Sequence, residues 1–352
     1  SVANIAYYGL VKLDPLPDST ILEAFQYACH KIVFQEAWQQ TEVEKILQTF
    51  EANQMKCMPL KGYIIKHLYP QSNMRSMGDV DILVEESKLE KAKDIMLGLG
   101  YTLRSEDNNH DIYFKNPAVM IELHKLLISQ QKVENLFFYF GSGWDRTRLK
   151  AGHKYQYEMS EEDFYIYLLG HMAKHYQRGG TGLRSVMDIW VYKRHYRNQM
   201  DWNYITTELE KAGLYEFAKS MESLSEYWFE GKCSDRFYPE IAEYVLSNGT
   251  HGTAANFMLT KLLAESKKNN KSFNTIRWKY ILRIFFPNRQ NMNLLFPSLQ
   301  KTPFLLPLYW VYRGLYTGLF KRNDIKYTLG NVAASTDAKA KQLEEIRQLS
   351  GF

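Results

Sequence analysis

Apolar residues recur three and four apart through Ile21, Leu22, Phe25, Ala28, Ile32 and Val33, and again through Val43, Ile46, Leu47 and Phe50. That spacing is the helical period. Asp18-Ser19-Thr20, with Glu23 behind it, offers an N-terminal cap, and Asn53 an end. The period then changes. Met55 to Leu60 is a short apolar run bounded by Lys61-Gly62 and predicts a strand, and Tyr63 to Tyr69 predicts a helix stopped by Pro70. A polar loop, Gln71 to Met77, leads into a strand at Val80 to Val84. An amphipathic helix follows at Ser87 to Leu99, closed by Gly98 and Gly100. Strands are expected at Tyr101 to Arg104, Ile112 to Lys115 and Val119 to His124. Strands and helices in this order make a compact α/β or α+β core.

Beyond Ser160 the pattern is helical. Ser160 with Glu161, Glu162 and Asp163 is a strong helix start, because acids sit well at the positive end of the helix dipole. Helices follow at Leu183 to Tyr196, Trp202 to Ala212, Tyr215 to Phe229, Pro239 to Leu246 and Ala254 to Leu263, and Pro287, Pro297, Pro303 and Pro307 punctuate the remainder. At 352 residues the chain exceeds one ordinary domain. The pattern divides it into a helical segment at 1–53 packing on the core, a core at 54–150, and a helical C-terminal region at 151–352. The stretch Pro303 to Phe320 is the most apolar. Its prolines, glycines and Arg313 argue against a bilayer span, and it predicts a buried helix.

Charge sharpens that division. The total is +5, yet Lys261 to Lys326 holds thirteen Lys or Arg against two acids, Glu265 and Asp324. That is a net +11, leaving −6 elsewhere. A region basic from about 261 could attract phosphates, RNA or an anionic membrane surface. Cys29, Cys57 and Cys233 form no C-x-x-C pair and no zinc spacing, so buried thiols in a reducing, cytoplasmic setting are expected. The first twenty residues show no basic segment followed by a sustained apolar run, so no signal peptide is visible.

Candidate chemistry concentrates between residues 58 and 125. In Gly78-Asp79-Val80-Asp81-Ile82-Leu83-Val84, strand alternation sends Asp79 and Asp81 to one side. Two adjacent carboxylates repel unless a cation sits between them. Magnesium, or manganese, takes such oxygens together with phosphate oxygens, so the pair suits a triphosphate clamp. Glu122 is a lone acid in an apolar strand and the candidate third carboxylate, with His124 on its face. Lys61-Gly62 stands at a strand-to-helix junction, where a bare backbone and a cation could meet phosphate, and Arg75 is a further phosphate candidate. No Walker loop is present. His171 and His175 lie one turn apart, as do Arg184 and Asp188. These four are expected to form one polar cluster, either lining a cleft or locking helices together.

The order of these pieces resembles the nucleotidyltransferase superfamily of polymerase-β-like fold. It is more closely similar to a bacterial family of largely uncharacterised nucleotidyltransferase-like proteins. The resemblance rests on Leu60-Lys61-Gly62, Tyr69-Pro70, Arg75, Asp79-Val80-Asp81 and Glu122-Leu123-His124. Further along it rests on His171-Met172-Ala173-Lys174-His175 and on Gly182-Leu183-Arg184 leading to Asp188. It covers about residues 20 to 320. Tyr63 stands where many superfamily members carry Ser after the glycine. The resemblance implies an α+β fold, with a nucleotidyltransferase-type mixed sheet, flanking helices and a large, mostly α-helical C-terminal region. It also implies transfer of a nucleoside monophosphate from an NTP to an unknown small-molecule or macromolecular acceptor. Asp79, Asp81 and Glu122 would bind the metal, and Lys61, Gly62 and Arg75 the nucleotide. Its rivals are an inactive nucleotide-binding protein of the same fold, a transferase acting on RNA, and a phosphotransferase that releases ADP.

Overall fold

The computed structural model describes residues 2–117, 119–128, 134–249 and 252–352. The chain forms two compact units, one of residues 1–174 with 183–237, the other of 175–182 with 238–352.

The first unit opens with helices α1 (Ala3–Leu10) and α2 (Ser19–Ala52). The sheet region follows as β1 (Cys57–Pro59), α3 (Gly62–Ile65), β2 (Val80–Val84), α4 (Leu89–Gly98), β3 (Thr102–Glu106), β4 (His110–Lys115) and β5 (Val119–His124). After α5 (Glu134–Phe140) come a two-stranded ribbon, β6 (Thr147–Leu149) and β7 (Tyr157–Met159), and helices α6 (Glu161–Arg178), α7 (Leu183–Tyr196), α8 (Trp202–Lys211) and α9 (Tyr215–Glu230). The last turn of α6 belongs to the second unit. The two periodic runs between Ile21 and Phe50 are one helix of 34 residues, capped as expected by Asp18, whose carboxylate accepts from the Thr20 amide at 2.8 Å.

Five strands form one mixed sheet in the order β1-β2-β5-β4-β3. Only β2 and β5 run parallel, and their register sets Val80 opposite Ile121 and Asp81 opposite Glu122. Alternation then sorts the two faces. Val80, Ile82, Val84, Tyr113, Ile121 and Leu123 lie on one face. They are buried in a core with Val43, Ile46 and Phe50 of α2 and with Ala92 and Met96 of α4. The opposite face carries Asp81, Glu122 and His124. The apolar face is therefore what fixes the polar one, since a slip of one residue would exchange them.

The loop before β2 is held from two sides. Gln35 and Gln39 of α2 donate to the Met77 carbonyl at 3.2 and 3.4 Å. Arg75 forks onto Asp188 of α7, with Nε at 2.7 and 3.0 Å and Nη2 at 2.8 Å, and Tyr69 Oη donates to the same carboxylate at 2.8 Å. Both partners of the ion pair are buried. Asp188 is thus engaged by Arg75 rather than by Arg184, one turn before it on α7. Arg75 presents a planar fork to both Asp188 oxygens, a geometry a carboxylate accepts well.

The second unit is helical: α10 (Pro239–Ser247), α11 (Ala254–Asn269), α12 (Phe273–Phe285), α13 (Arg289–Leu295), α14 (Leu306–Phe320), α15 (Arg322–Ala334) and α16 (Asp337–Leu349). Leu259, Leu262, Ile276, Val332, Leu343 and Ile346 are buried within it. Two expectations fail. Helix α14, the apolar stretch expected to be buried, has no buried residue. Cys233 is exposed, although Cys29 and Cys57 are buried.

The clamp on Arg75 gives a direct test. Asp188→Ala leaves a buried guanidinium without its counter-charge and should destabilise the protein by about 3–5 kcal/mol, read by urea denaturation. A loss below about 1 kcal/mol, the scale of an exposed pair, would mean the clamp is not what holds the loop.

Candidate active site

The site is built where the C-terminal part of β5 lies beside β2. Asp79 sits one residue before β2, half-buried, and Asp81 is buried inside it. Across the parallel register, Glu122 stands opposite Asp81, and His124 follows two residues on. His124 Nε2 is 2.6 Å from Asp81 Oδ1 and 3.4 Å from Glu122 Oε2. Lys61 Nζ donates to the same Asp81 oxygen at 2.8 Å. Asp81, Glu122 and His124 each present one ligand atom within 4.8 Å of the others, a group able to hold a metal ion. Carboxylate oxygens beside one imidazole nitrogen suit a hard or borderline divalent cation.

Local backbone explains how Lys61 arrives there. The Leu60 amide donates to the Asp81 carbonyl at 3.0 Å, which ties the end of β1 to β2. Lys61 itself then takes φ 45° and ψ −116°. This is the left-handed side of backbone space, which a lysine adopts only under constraint, at a cost of roughly 1–3 kcal/mol. Gly62 meets a different need. A Cβ there would lie 2.9 Å from Met77 Sδ and 3.3 Å from an Arg75 Nη1. The glycine thus admits the Arg75–Met77 loop against the turn, while Lys61 makes the sharp bend.

Electrostatics separates the two aspartates. Burial pushes the Asp79 carboxyl up, and the charges of Asp81 and Glu122 push it further, to about 6. Burial also acts upward on Asp81, but Lys61 and His124 overcome it and hold that carboxyl well below the usual range. Glu122 is lowered too, burial being outweighed by the His124 hydrogen bond. The site therefore keeps two ionised carboxylates and one strained by their proximity, which is the charge pattern a cation relieves.

Arg184 lies near this group. Its only hydrogen bond is to the Ser76 carbonyl at 3.3 Å, and no carboxylate lies within 4.0 Å of it among the described residues. Burial and the neighbouring Arg75 lower its pKa to about 10, against the opposing pull of Asp188 and Asp79. Arg75, the phosphate candidate before β2, bonds Asp188 through Nε and Nη2. Of these two guanidiniums, Arg184 is the one without an ion-pair partner among the described residues. His171 stands one turn after Tyr167 on α6, with ring centroids 6.3 Å apart, and His175 belongs to the second unit. Of the four residues expected to cluster, Asp188 is clamped by Arg75, Arg184 lies beside Ser76, and His171 stands on the part of α6 that belongs to the first unit.

Two side chains at the site went unnoticed in the sequence. His110 at the start of β4 pairs opposite His124, stacks on its ring at 5.3 Å and places Nε2 3.9 Å from Glu122 Oε2. Strand alternation across β4 and β5 was the available signal. Tyr167 is fully buried, and its hydroxyl has no hydrogen-bond partner among the described residues. Burial raises its pKa, and the neighbouring Lys61 and Asp81 act on it in opposite directions. Its position four residues before His171 was the only hint. A separate cavity of about 550 Å³ adjoins β1, lined by Met58, Tyr63, His67, Lys150 and Tyr157 among others. Asp79, Asp81, Glu122 and Arg184 do not line it.

A family model described as an uncharacterised nucleotidyltransferase matches residues 1–230. No curated protein matches the chain. Among solved structures, the antibiotic-resistance factor ANT(2'')-Ia is similar at 11% identity and a TM-score of 0.35, over 56% of this chain and 100% of that one. A likeness that distant fixes no residue's role.

The repulsion on Asp79 yields a measurable sign. A carboxyl whose pKa is raised on folding binds its proton more tightly in the native state. In the metal-free protein the stability contributed by Asp79 should therefore be full at acid pH, below the ordinary carboxyl range, and be lost as pH rises through about 6. Asp79→Asn removes this effect. In a chelator at pH 7 the variant should be more stable than the parent by about 1–2 kcal/mol, a value reduced for partial solvent screening. The difference should vanish near pH 4. Equal melting curves at both pH values would remove the repulsion from the account.

Proposed function

Since the chain belongs to the uncharacterised nucleotidyltransferase family, we propose that it transfers a nucleoside monophosphate from an NTP to an acceptor and releases pyrophosphate. Asp79, Asp81 and Glu122 would hold a divalent ion, Mg²⁺ or Mn²⁺. The observation that carries this reading is the register of β2 on β5, which sets Asp81 opposite Glu122 with the Lys61 amine on the Asp81 oxygen. When bound, the ion would offset charge on the triphosphate and on the leaving pyrophosphate.

The residues of the chain then divide the work. Lys61 is already fixed at the carboxylates and adds positive charge beside the phosphates. Arg184 has no carboxylate within ion-pair distance among the described residues and takes an anionic oxygen of the nucleotide or acceptor. An acceptor oxygen or nitrogen attacks the α-phosphorus in line. A bond forms from acceptor to phosphorus, and the bond from phosphorus to the β-phosphate oxygen breaks. Glu122 is ionised near neutral pH and either completes the metal site or receives the proton the acceptor gives up. His124 keeps Asp81 and Glu122 in place through one nitrogen. Most of the acceleration comes from positioned charge, because these groups are set before substrate arrives.

The test follows α-labelled NTPs incubated with the protein, Mg²⁺ and a cell extract that supplies acceptors. Label should move to an acceptor with one pyrophosphate released per transfer. Asp81→Asn should lower the rate by about 10²–10³-fold, and Arg184→Gln should weaken nucleotide or acceptor use with a smaller loss. An undiminished rate in both Asp79→Asn and Asp81→Asn refutes the assignment. Nucleotide binding without pyrophosphate, or release of ADP, would replace transfer of a nucleotide by binding alone or by phosphoryl transfer.

A further inference from the structure

Helix α14 is apolar around most of its circumference and turns an aliphatic arc outward. Leu308, Val311, Tyr312, Leu315 and Leu319 are 65, 62, 59, 64 and 76% exposed. Their spacing of three and four puts them within an arc of about 100° on a 3.6-residue helix. The opposite side is the one attached to its own unit. Trp310 Nε1 donates to the Pro287 carbonyl at 2.9 Å, and Arg313 Nη1 donates to the Ile284 carbonyl at 2.8 Å. Thus the helix turns its polar anchors inward and leaves aliphatic side chains in solvent, the reverse of a surface helix of a soluble domain. Monomeric soluble proteins rarely leave a contiguous apolar face of this kind uncovered.

The surrounding charge identifies the cover. Lys301 precedes α14, and Lys321 and Arg322 follow it. Helix α12 adds exposed Trp278, Leu282 and Phe285 on one face, along with Arg277, Lys279 and Arg283. The whole segment from Lys261 to Lys326 is +11. Lys279 is pulled below its ordinary pKa by neighbouring Lys271, a sign of like charges set side by side; Arg283 and Glu265 also act on it.

The geometry points to α14 as an interfacial anchor that lies flat on an anionic lipid surface, its aliphatic arc in the headgroup boundary and its basic flanks on the lipid phosphates. No helix among the described residues is long and apolar enough to cross a membrane, which leaves surface attachment as the membrane mode for this helix. A second copy of this chain is disfavoured, because pairing the face with itself brings two +11 segments together. RNA is the less favoured occupant: Tyr312, Trp278 and Phe285 offer stacking planes, but four of the five residues on the α14 arc, Leu308, Val311, Leu315 and Leu319, are aliphatic and offer neither planes nor hydrogen bonds. The inference does not rest on the transfer chemistry.

The full chain should be tested by co-sedimentation with phosphatidylcholine vesicles and with vesicles carrying about one-third phosphatidylglycerol. Binding should be at least about tenfold stronger to the anionic vesicles and should weaken as salt rises. Leu308→Asp with Leu315→Asp should abolish it, and Lys321→Glu with Arg322→Glu should weaken it several-fold. All four positions are solvent-facing, so melting temperatures should hold. The anchor is excluded if anionic vesicles fail to bind the chain at low salt, or if the Asp variant binds like the parent. A dimer seen by ultracentrifugation and dissolved by the Asp variant would assign the face to a second copy. Binding to RNA with none to vesicles would assign the charge to nucleic acid.

Discussion

One pairing decides the chemistry of this protein: β5 runs parallel to β2 with Glu122 opposite Asp81. Acids 41 positions apart become neighbours because Val80, Ile82, Ile121 and Leu123 are buried together on the other face. The hydrophobic effect thus sets the spacing of the carboxylates. A shift of one residue on either strand would turn the apolar set toward the site and the acids into the core, where their desolvation has no compensation. Packing alone therefore specifies the register strongly, and the polar face inherits its precision.

Holding acids at that spacing requires positive charge, and the structure supplies it unequally. Asp81 receives both Lys61 and His124 on one oxygen, while Asp79 receives mostly repulsion. Arg75 is close by but is drawn off by Asp188, and Arg184 remains without a carboxylate. A structural clamp and an electrostatically unfinished site therefore stand side by side. The clamp keeps the loop rigid, and the unfinished part keeps charge available to an incoming anion and cation. If all these groups were paired internally, the site would be more stable and would have less to offer a ligand.

Much of this was legible because it is local. The polar position of Asp81 in β2 follows from strand alternation, the lone Glu122 from an acid in an apolar run, and the helix after Asp18 from its cap. What escaped was set by distant partners. Asp188 is 113 positions from Arg75, so the choice of Arg75 over Arg184 could not be read from helix spacing. The bend at Lys61 was hidden because Gly62 beside it looks like the natural site of a positive φ. Only the packed Met77 and Arg75 side chains reveal that the glycine serves clearance instead. The exposure of Cys233 carries no pattern at all, since it depends on where the segment after α9 runs.

Helix α14 shows a deeper limit of pattern reading. The sequence PFLLPLYWVYRGLYTGLF has apolar residues on every side, and such a helix satisfies the composition of a core helix and of an interfacial one equally. The distinction lies in which side carries the polar anchors. Trp310 and Arg313 can hydrogen-bond inward only because the carbonyls of Pro287 and Ile284 are presented at the adjoining turn. Ring packing engages the helix as well: Trp310 meets Phe286 edge-on at 5.4 Å and Tyr309 lies 5.0 Å from Phe296. With those contacts made, Leu308, Leu315 and Leu319 are left in solvent, an exposure that two hydrogen bonds of about 1 kcal/mol each could not impose by themselves. The same logic operates in the sheet with the signs exchanged: there the apolar face is fixed first, and the polar groups are what remain to meet a ligand.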